Sequence, residues 1–473
     1  MNQSIVIVNI ALGDPGLMNE KTILAMKESG TLILRTLHNP IVSWLEHENI
    51  RYSTLDSLYN TVDDFDQLSA AIADYLWSLT MKTTVTYAVP DLMTDCSVRT
   101  LYQTKPKNGQ ITVIPGVGVS DLYQSYSLPL TDGSDLRTVS AADFLNENYD
   151  PNISVLITEL DNFILAGELK LRLSAYLEDE YQIYILHEQI TPVLIPLFEL
   201  DRQKCIDHLS AVFVPGLSYM ERSTYVFDDL LRIMDRLRAS DGCPWDRVQT
   251  HTSLRPYMIE EAWECTAAID QNDYEHLSDE LGDLLFQIVF HSSIGKTYDE
   301  FTIIDVINSI CRKMIRRHPH IFSEHSATSA VFSSEEWEKL KRFETGSSSI
   351  LESLDDVSTA LPSLKYASKV IKKLALLPSC KRKTDDISLE IKQLTDRITV
   401  YDEESIGYIL FLYAELCFSL NLDGELLLHH TVTRIKKCMQ TEGNQLEKDG
   451  KTYESLTFPE LGVYLSHVED EIE

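Results

Sequence analysis

Up to about residue 220 this chain alternates short β-branched runs with stretches of helical period, and from about Tyr225 that alternation stops. The runs lie at 5–8, 31–34, 84–89, 111–114, 154–157 and 181–186. Strands separated by helices imply an α/β domain with a largely parallel sheet, because parallel neighbours need a crossover connection. Beyond Tyr225 apolar residues recur with a 3.6-residue period, so the remainder reads as all-α. The Ser-rich stretch TGSSS at 345–349 reads as a linker between two helical parts. In a chain of 473 residues three modules are therefore expected: an α/β domain over 1–220, a helical module over 225–343 and a second helical module over 350–473.

Charge narrows the function. Lys plus Arg number 41 against 73 Asp plus Glu, a formal net charge of −32, which excludes a broad electrostatic footprint for nucleic acid. The eight cysteines include no C-x-x-C pair, so neither a zinc site nor a disulfide framework is indicated. The first residues form no basic, apolar leader, and the most apolar helical run, 409–420, is short and interrupted by Glu415. A cytoplasmic protein is expected, with no nucleic-acid or membrane partner.

The densest chemistry lies between Gly242 and Phe322. A helix capped by Thr252 or Ser253, with Pro256 in its first turn, is expected to carry Glu260, Glu261 and Glu264 on neighbouring turns. After a loop rich in Asp and Asn, a second helix starting near Leu277 carries Glu280 and Asp283 and is apolar on nearly every side, so burial is expected. Acids three apart on a buried helix lie about 4.5 Å apart along its axis and need neutralising. No Lys or Arg occurs between Met258 and His291. A hard divalent cation is the natural partner, Mg²⁺ above all, since it accepts a few carboxylate oxygens together with waters and phosphates.

Arg312, Lys313, Arg316 and Arg317 form the main basic cluster, with Lys313 and Arg317 one helical turn apart. Acids that hold a cation, near bases that hold phosphate, point to phosphoryl chemistry on a nucleotide. Either feature alone is the ordinary dress of a helix surface.

Five blocks complete the pattern: GCPWD at 242–246, QTH at 249–251, EEAWE at 260–264, DELGDLLF at 279–286 and RRHPHIF at 316–322. In this order they resemble the MazG family of nucleoside triphosphate pyrophosphohydrolases, whose E-E-x-x-E and E-x-x-D signature is present in full. The resemblance implies an all-α bundle, normally a homodimer, that hydrolyses nucleoside triphosphates to monophosphate and pyrophosphate with Mg²⁺. It implies that Glu261, Glu264, Glu280 and Asp283 ligate the metal and that Glu260 assists a metal or orients water. It also implies that Lys313 and Arg317 contact the triphosphate, while Trp245 is a candidate for stacking on the base. Residues 361–439 look like a faded second copy, with Glu390, Gln393, Ser405 and Tyr408 at the four ligand positions. One acid of four cannot hold Mg²⁺, so that module is expected to be structural.

Residues 1–220 resemble the tetrapyrrole (corrin/porphyrin) methylase fold, as in YabN-like fusions to a MazG module. The supporting blocks include GDP at 13–15, Arg35 with Thr36, His38 and Pro40, YAVP at 87–90 and IPGV at 114–117. That resemblance implies two α/β lobes with S-adenosylmethionine between them and Gly13, Asp14, Pro115 and Gly116 as contacts. The family's first loop, G-x-G-P-G-D, is here NIALGD at 9–14, and its second, V-P-G-x-P, is here VPDLM at 89–93. Glycines that let backbone approach a ligand have acquired side chains, and Asp91 adds negative charge. The expected reading is a scaffold that keeps the fold without methyl transfer. A methyltransferase and a non-catalytic Mg-nucleotide-binding scaffold stay open as alternatives to the pyrophosphohydrolase.

Overall fold

The computed structural model describes residues 3–59, 65–131, 133–187, 191–204, 206–322, 350–397 and 403–448. The stretch 345–349, read as a linker, lies outside them. The chain divides into two compact units, Met1–Val306 and Ile307–Glu473.

The first unit begins with two five-stranded sheets. One contains β1 (Gln3–Asn9), β2 (Thr31–Leu34), β3 (Tyr52–Thr54), β4 (Val85–Val89) and β5 (Gly109–Ile114) in the order β3-β2-β4-β1-β5, parallel throughout. Every residue of the central β4 is buried. Its side chains alternate between two cores, Val85, Tyr87 and Val89 facing Leu68, Ile72 and Leu76, and Ala88 facing Met26, Ile41 and Leu45.

The other sheet contains β6 (Leu136–Ser140), β7 (Ser154–Thr158), β8 (Gln182–Leu186), β9 (Val193–Pro196) and β10 (Ala211–Val214) in the order β6-β7-β10-β8-β9. Only β6 and β7 are parallel there; β10 and β9 run antiparallel to their neighbours. The expectation of a largely parallel sheet thus describes the first lobe and not the second. The second lobe departs because β10 lies between β7 and β8 and runs opposite to both, as β9 does to β8.

A short polar hinge leads to the helices. Asp229, on the helix Phe227–Leu237, is fully buried and accepts from the Val226 amide at 2.8 Å, Asn152 Nδ2 at 2.8 Å, Arg222 Nη2 at 2.7 Å and Arg232 Nη1 at 3.0 Å. Arg232 also reaches Asp150 at 2.8 Å. Asn152 and Asp150 belong to the second lobe, so one carboxylate pins the first helix to the α/β domain. Met234 on that helix packs with Leu254, Val289, Phe290 and Ile294 of the two helices that follow.

In the second unit the helices Ser363–Leu374, Thr384–Arg397, Glu403–Ser419 and Gly424–Lys448 surround a small core of Ile387, Ile391 and Leu412. No single helix among the described residues is long and apolar enough to cross a membrane. Cys96, Cys243, Cys265, Cys311, Cys380 and Cys417 are free thiols.

Candidate active site

The acidic residues ride on an antiparallel helix pair. The first helix, His251–Gln271, is capped by Thr250, whose hydroxyl accepts from the Ser253 amide at 3.1 Å. The cap therefore falls earlier than Thr252 or Ser253, and Pro256 sits inside the helix rather than in its first turn. Asn272 ends the helix in the left-handed conformation at φ 55°, a geometry a short Asx side chain tolerates. Asp273 then caps the second helix, Tyr274–Thr297, by accepting from the His276 amide. A two-residue connection brings the helices side by side.

Glu261 and Glu264, three residues apart on the first helix, meet Glu280 on the second. One carboxylate oxygen from each lies within 4.8 Å of the others, and among the described residues no other group of three potential metal ligands comes together. Glu280 is buried, Glu261 half-buried and Glu264 exposed. Burial pushes the Glu261 carboxyl above its ordinary range, and Asp283, Glu264, Glu280 and Glu260 push it the same way. Burial also raises Glu280, with Glu264 and Asp283 adding to it and His276 opposing. Mutual repulsion of this kind is what a bound cation relieves. Six oxygens around Mg²⁺ at about 2.1 Å stand about 3–4 Å apart, so small side-chain adjustments suffice for these three.

Asp283 and Glu260 are exposed beside this triplet and act on Glu261 electrostatically. His276 was missed in the sequence: its Nε2 lies 3.2 Å from Glu280 Oε1, one turn away. Counting Lys and Arg alone left it out. The expected burial of the second helix holds for one face only, since Leu281 and Leu285 are exposed beside buried Gln287, Val289 and Phe290. Trp245 is 52% exposed, with its ring edge-on to Tyr257 and Phe290. Lys313 and Arg317 sit on the helix Ile303–Arg317, within the second compact unit.

In the second unit Glu390 and Gln393 lie on one helix and Ser405 and Tyr408 on the next. Glu390 is paired with Arg382 and accepts from the Tyr408 hydroxyl at 3.1 Å, and Arg382 also meets Glu415 at 3.1 Å. A guanidinium and a phenol balance the surviving acid, where the first module has three mutually repelling carboxylates.

The α/β lobes contain a second polar cluster, at the carboxyl ends of the strands where open α/β sheets bind ligands. Arg35 contacts Asp95 at 3.3 Å, Glu159 at 3.1 Å and Asp161 at 3.2 Å, and donates to the Tyr59 hydroxyl. Glu159 and Asp161 adopt positive φ of 57° and 35°, which costs energy in residues other than glycine. Burial drives the Glu159 carboxyl well up, against the pull of Arg35.

The four cofactor candidates are engaged locally. A Cβ on Gly13 would lie 2.4 Å from the Ile41 amide nitrogen, and Asp14 accepts from the Gly16 amide at 2.8 Å. The Pro115 and Gly116 carbonyls accept from Asn19 at 2.5 Å and Asn9 at 2.9 Å. Asp91 accepts from the amides of Met93 at 2.8 Å, Thr94 at 3.2 Å and Ser120 at 2.7 Å. Asp91 thus takes three backbone donors beside the loop at 89–93 and adds negative charge there, so a carboxylate-bearing cofactor would have to displace it to use them.

Residues 249–322 match the family model of the MazG nucleotide pyrophosphohydrolase domain. The chain is 33% identical to the uncharacterised protein YabN of Bacillus subtilis over 386 residues, 79% of this chain and 77% of that one. It is likewise 33% identical to the nucleoside triphosphate pyrophosphohydrolase/pyrophosphatase MazG of Thermotoga maritima over 252 residues, 52% of this chain and 96% of that one. The chain belongs to the MazG family. Among solved structures, a uroporphyrin-III C-methyltransferase from Thermus thermophilus resembles it at 14% identity and a TM-score of 0.33, covering 45% of this chain and 94% of that one. A likeness that low says nothing about what the α/β lobes do.

Proposed function

We propose that this MazG-family chain hydrolyses nucleoside triphosphates, ribo- or deoxyribo-, to monophosphate and pyrophosphate, with Mg²⁺ held by Glu261, Glu264 and Glu280. The observation that carries the reading is the convergence of these three carboxylates from two helices, with no Lys or Arg on either helix between Met258 and His291. Bound Mg²⁺ supplies charge for the phosphoryl oxygens and lowers the pKa of a coordinated water.

The chain's own groups do the rest. Asp283 completes the ligand set, and Glu260, exposed on the same helix as Glu261, accepts a proton from or orients the attacking water. Lys313 and Arg317 are proposed, on the sequence resemblance, to hold the triphosphate as charge passes to the leaving pyrophosphate. Trp245, half-exposed, offers a face for the base. No side chain is needed as a covalent nucleophile.

A homodimer fits the exposed Ile259, Leu281 and Leu285 on the acidic helices, apolar positions that a second copy would cover. The proposed setting is the cytoplasm, with nucleotide-pool house-cleaning as the role. The α/β domain serves as a scaffold in this reading.

The test is a product assay with Mg²⁺ and each NTP and dNTP, detecting pyrophosphate and orthophosphate separately, with Glu264→Ala as control. Monophosphate and pyrophosphate from the wild type, with an inactive control, support the reading. Binding without turnover on any nucleotide would replace it with a Mg-nucleotide scaffold.

A further inference from the structure

The second unit holds a cavity of about 570 Å³ at the start of the helix Thr384–Arg397. Pockets of 300–1,000 Å³ are the size that takes small ligands. Three consecutive cations, Lys381, Arg382 and Lys383, line it in a chain whose net charge is −32. Arg382 is committed to Glu390 and Glu415. Lys381 and Lys383 are exposed and have no ion-pair partner among the described residues. Asp385 is the one lining acid that Arg382 does not neutralise. Phe418 and Ile371 supply the apolar part of the lining, and the Thr384 hydroxyl donates to the Ser419 hydroxyl at 3.3 Å, which donates in turn to the Leu416 carbonyl at 2.8 Å, leaving both oxygens as acceptors.

Unpaired cations at the rim suit phosphate, an aromatic and aliphatic wall suits a flat heterocycle, and paired hydroxyls suit a sugar. We propose that this pocket is a binding site for a nucleoside mono- or diphosphate, separate from the catalytic carboxylates. It borders the faded copy of the acid cluster through Arg382, which lines the pocket and pairs with Glu390, while Glu390 and Tyr408 themselves are not among its lining residues. The site needs no metal, because its phosphate partners are lysines.

The experiment is isothermal titration of the full-length protein with AMP, ADP, GMP and GDP in EDTA, where the acid cluster has no cation. One binding event is expected, retained in Glu261→Ala and weakened at least tenfold in the double variant Lys381→Glu/Lys383→Glu. Should charge reversal unfold the chain, Lys381→Gln/Lys383→Gln is expected to weaken binding severalfold with the circular dichroism unchanged. No binding of any of the four at millimolar concentration overturns the proposal, as does binding that ignores both lysine variants or disappears in Glu261→Ala. Inorganic pyrophosphate binding as tightly as ADP would overturn the assignment to a nucleotide. Because these measurements exclude turnover, their failure leaves the pyrophosphohydrolase reading standing, and the reverse also holds.

Discussion

His276 Nε2 lies 3.2 Å from Glu280 Oε1, one helical turn earlier on the same helix. A neighbour that donates to a ligating carboxylate fixes its orientation, and removing such a partner typically costs 10–100-fold in metal affinity. His276→Ala is expected to raise the Mg²⁺ concentration for half-maximal turnover about tenfold, the low end because the imidazole is half-exposed, with kcat at saturating metal unchanged. Metal titration of the initial rate checks this, and an unaltered requirement would leave His276 without a positioning role.

Glu261 carries the opposite tension between stability and function. Its folded carboxyl is raised by burial and by four neighbouring acids. The folded chain therefore binds more protons than the unfolded chain just above pH 4.5, and metal-free stability falls as pH rises through that window. Glu261→Gln removes the repelled charge and a ligand together. The expected result at pH 7.5 in EDTA is a higher melting temperature than wild type, with turnover in Mg²⁺ lower by at least about a hundredfold. A lower melting temperature in EDTA would mean that this carboxylate is not strained by its neighbours in the folded chain.

What the sequence disclosed follows from how local each signal is. Strands β1, β2, β4, β5, β7 and β8 carry dense β-branched or apolar runs and were legible. The apolar runs of β3, β6, β9 and β10 are short, and β6, LRTVS, mixes polar residues as an edge strand paired only with β7. The acid triplet was legible because i, i+3 spacing on a helix fixes which side chains share a face. Arg35 with Glu159 and Asp161 was not, since 124 and 126 residues separate partners that only the stacking of two lobes brings together. Burial of the second acidic helix was overread, because an all-round apolar helix looks the same whether its last face meets its own chain or a second copy.

Arg382 holds two acids at once in the second unit. Losing it would leave Glu390 and Glu415 facing each other across a partly buried gap, and burial already raises Glu415. Arg382→Ala is expected to destabilise this unit by about 2 kcal/mol, less than a fully buried pair because solvent reaches both partners. Faster hydrogen exchange in the helices Thr384–Arg397 and Glu403–Ser419 would register it. Adding Glu390→Gln and Glu415→Gln should restore most of the protection, and failure to do so would assign the loss to packing of the arginine stem.

Asp91 ties the loop at 89–93 to the Ser120 amide. Asp91→Ala strips the acceptor from the amides of Met93, Thr94 and Ser120, and the unsatisfied donors should cost about 2–3 kcal/mol. Wild type is expected to show no binding of S-adenosylmethionine by calorimetry. Binding at micromolar concentration would mean that the loops rearrange and that the α/β domain keeps a ligand of its own.

His208 sets how the α/β domain responds to mild acid. Burial, and then Arg35, press its imidazole down to about 4; Asp207 opposes, while His38 and His187 add to the depression. Its Nε2 is buried without a hydrogen-bond partner, so the neutral ring is the form that fits. The unfolded chain takes up this proton near pH 6.5 and the folded chain only near 4, so stability is retained above 6.5 and drains away as pH falls between those values. His208→Gln should flatten the dependence by up to about 1.4 kcal/mol per pH unit in that window. Urea midpoints at pH 7.5, 6.0 and 5.0 for both proteins provide the comparison. Parallel pH profiles would show that His208 does not carry this dependence.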